Sequence, residues 1–97
     1  MKKRISFVIN THNEENNIKE CLESVSWADE IIIVDAYSTD QTIKIAKDFT
    51  NNIFYHKSTG YVETSRNFGI SKAKNQWVFI LDADERLPFA SKKIIFE

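Results

Sequence analysis

Apolar residues gather in four runs along the chain, most of them β-branched, and each run closes on polar residues. The runs are Arg4 to Asn10 (RISFVIN), Glu30 to Ala36 (EIIIVDA), the shorter Asn52 to His56, and Trp77 to Arg86 (WVFILDADER). Unbroken apolar stretches of strand length predict strands buried on both faces, as in a parallel sheet. Between them the period becomes helical. Ile18, Cys21, Leu22 and Val25 recur at i, i+3, i+4 and i+7, behind a Thr11-His12-Asn13-Glu14 capping box, and predict a helix from about Glu14 to Ser26. Ser38-Thr39-Asp40-Gln41 offers a similar cap to a second helix with Ile43, Ala46 and Phe49 on one face. Lys57 to Gly60 reads as a loop. Tyr61 to Ala73 reads as a third helix, in which Gly69 and Ala73, four apart, permit close approach to a sheet. Pro88 suits the first turn of a last segment, Phe89 to Glu97.

The order β-α-β-α-β-α-β predicts a mainly parallel, Rossmann-like sheet covered by helices on both faces, a three-layer α/β/α arrangement. In such sheets ligands bind beyond the carboxyl ends of the strands, where the strand order reverses. Thr11 to Glu15, Asp35 to Asp40 and Asp82 to Glu85 all fall on that edge. Asp82, Asp84 and Glu85 supply oxygen ligands of the kind that suit a hard divalent cation, Mg²⁺ or Mn²⁺, carrying a diphosphate. Taken alone, the Asp82-Ala83-Asp84 triplet reads more readily as turn and helix-cap residues than as metal ligands. No G-x-G-x-x-G or G-x-x-x-x-G-K-[ST] sequence occurs, so a bound phosphate would depend on a metal and side chains.

Composition narrows the function classes. The 97 residues form one domain able to bury roughly 60 to 65% of its unfolded surface, small for a two-substrate enzyme. A net charge of −1 with 28% charged residues leaves no basic footprint for nucleic acid. The single cysteine, Cys21, on the apolar face of the first helix, fits a packing role and a reducing compartment. The longest apolar run, Trp77 to Leu81, has five residues, against the ~20 that span a bilayer, so the expectation is a cytoplasmic domain, at most peripheral to the inner face of a membrane. His12 and His56 lack metal-ligand spacing, and Trp27 and Trp77 read as core or helix-cover aromatics.

Four segments in order, SFVINTHNEE, EIIIVDAYSTDQT, SRNFGISKA and WVFILDADE, resemble the amino-terminal half of family 2 glycosyltransferases of the GT-A fold. Within that family the chain looks most like bacterial enzymes that build lipopolysaccharide core and related cell-surface glycans. The resemblance implies a nucleotide-sugar donor, usually a UDP-sugar, a divalent cation bound through the DxD motif, and a glycan or lipid-linked acceptor. It implies that Asp84 is a metal ligand, with Asp82 and Glu85 against ribose or metal-bound water. Thr11, Asn13 and Glu15 would line the base and ribose pocket, Asp35 would bond base or ribose, and Arg66 would meet the diphosphate. The family's catalytic base comes from sequence well after DxD, so the chain reads as a donor-binding portion. Ala36 stands where the family often has a second aspartate.

Two other readings remain. A receiver-like signalling domain also gathers acids around Mg²⁺ at strand ends. A self-associating, non-catalytic domain would use an open edge beside the DxD strand, giving a homo-oligomer.

Overall fold

The computed structural model describes residues 3–57, 62–88 and 90–96. Most of the expected loop Lys57 to Gly60, the start of the third helix at Tyr61, and residues Phe89 and Glu97 lie outside the described residues. The elements run β1 (Ile5–Thr11), α1 (Ile18–Ser24), β2 (Glu30–Asp35), α2 (Thr42–Ala46), β3 (Ile53–Tyr55), α3 (Val62–Lys72), β4 (Trp77–Asp82) and α4 (Ser91–Phe96). The strands form one parallel sheet in the order β3-β2-β1-β4. This is the expected βαβ alternation, and the order reverses between β1 and β4, after the chain has stepped outward from β1 to β3.

Alternation along the strands divides the core in two. Ile5, Phe7 and Ile9 of β1 and Ile31 and Ile33 of β2 join Ile18, Cys21, Leu22 and Val25 in one buried cluster, with Ala46, Ile43 and Phe49 packed in from α2 and the turn after it. Phe7 stacks on Phe79 at 5.4 Å and meets the edge of Trp27 at 5.6 Å. On the opposite face Val8, Ile32 and Val34 are covered by Phe54, Phe68 and Ala73. Gly69 of α3 sits over Val8 and Val34, which gives the expected close approach. Helices therefore cover both faces, and the three-layer arrangement holds.

Three local expectations are corrected. Thr11 does not cap α1. It extends β1 as the register partner of Asp35, and α1 starts four residues after Glu14 behind Asn17, with no side-chain cap bond. Ser38 does not cap α2 either; Asp40 does that work, its Oδ1 accepting the Thr42 amide at 2.9 Å. The run Trp77 to Leu81 is not a buried strand. Among the described residues β4 pairs only with β1, and Trp77 and Ile80 stand 48% and 36% exposed. Trp77 is therefore not a core aromatic; the Lys3 ammonium lies 4.9 Å from its ring centroid.

Candidate functional site

The carboxyl ends of β1, β2 and β4 bring the polar clusters to one edge. β1 holds Asn10 and Thr11 in register with Asp82 and Asp35 of its two neighbours. At the end of β4 the chain turns through Ala83 and Asp84. The turn is closed by two bonds between the same residues, the Glu85 amide to the Asp82 carbonyl and the Asp82 amide to Glu85 Oε1, both at 2.8 Å. Ala83 is buried against the core, which pins the turn from below. Asp82, Asp84 and Glu85 each offer a carboxylate oxygen, all within 4.8 Å of one another. Three like charges at this spacing repel, and a divalent cation would relieve that repulsion with ligands of the right hardness.

Arg66 approaches this group from α3, its guanidinium 3.7 Å from Asp82 Oδ2 with both side chains part-exposed. Its height follows from Gly69. That residue packs on Val8, and Arg66 lies three residues earlier, ~4.5 Å along the helix axis. Val8 to Asn10 is a similar step along the strand, ~6.6 Å. Among the described residues, buried polar atoms collect here without hydrogen-bond partners: both amide atoms of Asn10, Thr11 Oγ1 and Arg66 Nε. Buried polar groups are nearly always satisfied, so such a cluster at a sheet's carboxyl edge is consistent with a polar ligand completing it. By sequence alone Asn10 is only a strand end. The available signal was an amide at the α3-facing position two residues after Val8.

Three of the other expected residues, Asn13, Glu15 and Asp35, stitch a pair of loops together, while Thr11 stays in β1. Asp35 is fully buried, and its two carboxylate oxygens accept the Ser38 amide at 2.8 Å and the Ser38 hydroxyl at 2.6 Å. Ser38 Oγ in turn accepts the Asn13 amide at 2.8 Å, while Asn13 Oδ1 accepts the Thr39 amide at 2.7 Å. Glu15 Oε2 accepts the Gln41 amide at 3.0 Å, and Asp40 Oδ2 accepts the Glu15 amide at 3.3 Å. Burial opposes ionisation of Asp40, but hydrogen bonds from the Thr42 hydroxyl and amide and the Glu15 amide outweigh it and hold the carboxyl below its ordinary range. Ser38 is the residue that sequence reasoning undervalued, because its partners lie in the other loop. Beneath the acidic turn, Cys21 directs its thiol to the Asp82 carbonyl at 3.7 Å. Burial, then the charges of Glu85, Asp84, Asp82 and Glu14, push the thiol up to about 12.

A parallel 3-2-1-4 sheet with an acidic turn beside its switch point defines an α/β protein of the doubly wound class, whose ligand crevice lies at that reversal of strand order. Residues 6–94 match the sequence profile of Glycosyl transferase family 2, and the chain belongs to that family. An uncharacterised glycosyltransferase of Rickettsia typhi is 42% identical over 88 residues, covering 90% of this chain and 30% of the relative. The lipopolysaccharide core biosynthesis glycosyltransferase LpsC of Rhizobium meliloti is 32% identical over 90 residues, covering 88% of this chain and 33% of the relative. Among solved structures, S. aureus TarS in complex with UDP-GlcNAc superimposes with a TM-score of 0.78 at 27% identity, over 95% of this chain and 30% of that one. The chain thus spans about a third of the length of the curated relatives it matches. The GT-A fold expectation holds. The receiver-like reading does not, since that class orders its strands 2-1-3-4-5. Among the described residues no helix is long and apolar enough to cross a membrane.

Proposed function

We propose that this chain is the donor-binding portion of an inverting, metal-dependent glycosyltransferase, cytoplasmic or peripheral at the inner membrane face. It transfers a sugar from a UDP-sugar to a lipopolysaccharide or other cell-surface glycan acceptor. The observation that carries the reading is the acidic turn Asp82, Asp84 and Glu85 at the switch point, with Arg66 alongside it. The UDP-GlcNAc held by TarS and the name of LpsC support the donor and acceptor classes.

In this reading Asp84 and Glu85 hold Mn²⁺ or Mg²⁺, and Asp82 contacts the ribose or metal-bound water. When bound, the cation stabilises the charge that develops on the departing diphosphate. The chain's own residues bind and orient the donor. The Arg66 guanidinium bonds diphosphate oxygens, its planar fork suited to two at once. Thr11, Asn13, Glu15 and Asp35 frame the base and ribose, the last three by fixing the loops on which the donor lies. Deprotonation of the acceptor hydroxyl belongs to a carboxylate elsewhere in the longer enzyme.

Asp84→Ala is the direct test. It is expected to abolish Mn²⁺-dependent nucleotide binding while leaving the circular dichroism spectrum unchanged; unchanged affinity for nucleotide and metal would remove Asp84 from the site.

A second reading rests on β4, whose outer edge carries exposed Trp77 and Ile80. Edges of this kind recruit further strands, and we expect the isolated chain to form dimers or larger assemblies. A monomeric mass by light scattering at high concentration would argue against it.

A further inference from the structure

The carboxyl edge of the sheet carries one feature that neither the acidic turn nor the stitched loops use. Tyr37 follows β2 with a φ of 56°, in the left-handed region that a bulky residue rarely adopts. Both of its chain neighbours are held by hydrogen bonds. The Asp35 carboxylate grips Ser38 on one side, and on the other Ala36 donates its amide to the Thr11 carbonyl at 3.0 Å. Glycine or asparagine would meet that backbone demand at lower cost. Tyrosine adds an aromatic ring that the core does not take up: Tyr37 is 56% exposed, and it lies against Tyr55, itself 48% exposed, with centroids 5.5 Å apart and planes tilted by 32°.

Tyr55 is the last residue of β3 and the register partner of Asp35, which is itself the partner of Thr11. The row Thr11, Asp35, Tyr55 therefore runs across the edge away from β4. With strands ~4.8 Å apart, Tyr55 lies about three strand spacings, ~14 Å, from the strand that carries the acidic turn. A nucleotide whose diphosphate meets Asp82, Asp84 and Arg66 would extend its base in this direction, past the Thr11 hydroxyl, which has no hydrogen-bond partner among the described residues. A flat heterocycle is the part of such a ligand that gains from exposed aromatic rings fixed in place.

The geometry points to Tyr37 and Tyr55 as an aromatic platform that stacks against the nucleobase of the donor. This rests on the donor-binding reading above. It assigns base affinity to two side chains outside the DxD turn, and it gives a role to a tyrosine held where the backbone favours glycine.

The test separates the base from the diphosphate. UDP and inorganic pyrophosphate are titrated, each with Mn²⁺, into the chain, into Tyr37→Asn and Tyr55→Ser, and into the Tyr37→Phe and Tyr55→Phe controls. Asparagine tolerates the left-handed backbone, so Tyr37→Asn removes the ring without adding strain. The platform predicts that Tyr37→Asn and Tyr55→Ser each bind UDP about tenfold more weakly, the size expected for one lost base–aromatic contact. Both should bind pyrophosphate as the parent chain does, and the phenylalanine variants should retain UDP affinity. UDP binding unchanged in Tyr37→Asn and Tyr55→Ser would overturn the platform and leave the donor site standing. Parallel losses for UDP and pyrophosphate in those variants would overturn it too, by showing a structural role. A parent chain that binds neither ligand would overturn the donor reading, and the platform with it.

Discussion

Gly69 lies against Val8 so closely that a Cβ on the glycine would stand 2.3 Å from Val8 Cγ1 and 3.0 Å from Val34 Cγ2. Both valines are fully buried in the middle of the sheet and have no room to withdraw. The contact sets the height of α3 above β1, and with it the reach of Arg66 to Asp82. Gly69→Ala is expected to destabilise the fold by about 1 to 3 kcal/mol through overpacking, read by chemical denaturation. It should also weaken pyrophosphate binding by tilting Arg66. A variant as stable as the parent would mean that α3 is not seated on Val8.

Ser38 joins the two loops at the sheet edge through three hydrogen bonds, two to Asp35 and one from the Asn13 amide. Ser38→Ala keeps the amide bond and removes both hydroxyl bonds, leaving one oxygen of a fully buried carboxylate without its partner. A loss of about 1 to 3 kcal/mol is expected. Hydrogen exchange should report faster opening at Asn13 and Thr39. Exchange at parent rates would show that the loops are held by other contacts.

Cys21 provides a pH test. Its thiol ionises at about 12 in the folded chain against 9.0 ordinarily, so the unfolded chain releases this proton first as pH rises. The resulting stability is fully present below about pH 9 and is lost between there and about 12, where the folded thiol also ionises. Folded chain should react with a disulfide reagent at pH 8 only as fast as it unfolds, and denaturant should release full reactivity. Rapid labelling of folded chain would show the thiol to be accessible.

The parallel sheet was legible because its strands are continuous apolar runs and its first two helices carry a 3.6-residue period; α3, VETSRNFGISK, has the least clean period of the three. The Gly69 and Ala73 spacing foretold the helix face that meets the sheet. What escaped the sequence was non-local. Thr11 and Ser38 are good N-cap residues by type, yet Thr11 is drawn into β1 by pairing with Asp35, and Ser38 is drawn to a carboxylate and an amide in two loops. Trp77 belongs to an apolar run whose composition suits a central strand as well as an edge; the order of pairing alone exposes it. Asn10 ranked as a strand terminus until register set it beside Asp82.

A calorimetric titration of the chain with UDP, GDP, CDP and dTDP, each with and without Mn²⁺, tests the donor site most directly. UDP is expected to bind with an affinity that depends on Mn²⁺, and the other bases are expected to bind more weakly. A folded sample that binds no nucleotide, or that binds all four equally without metal, would contradict it.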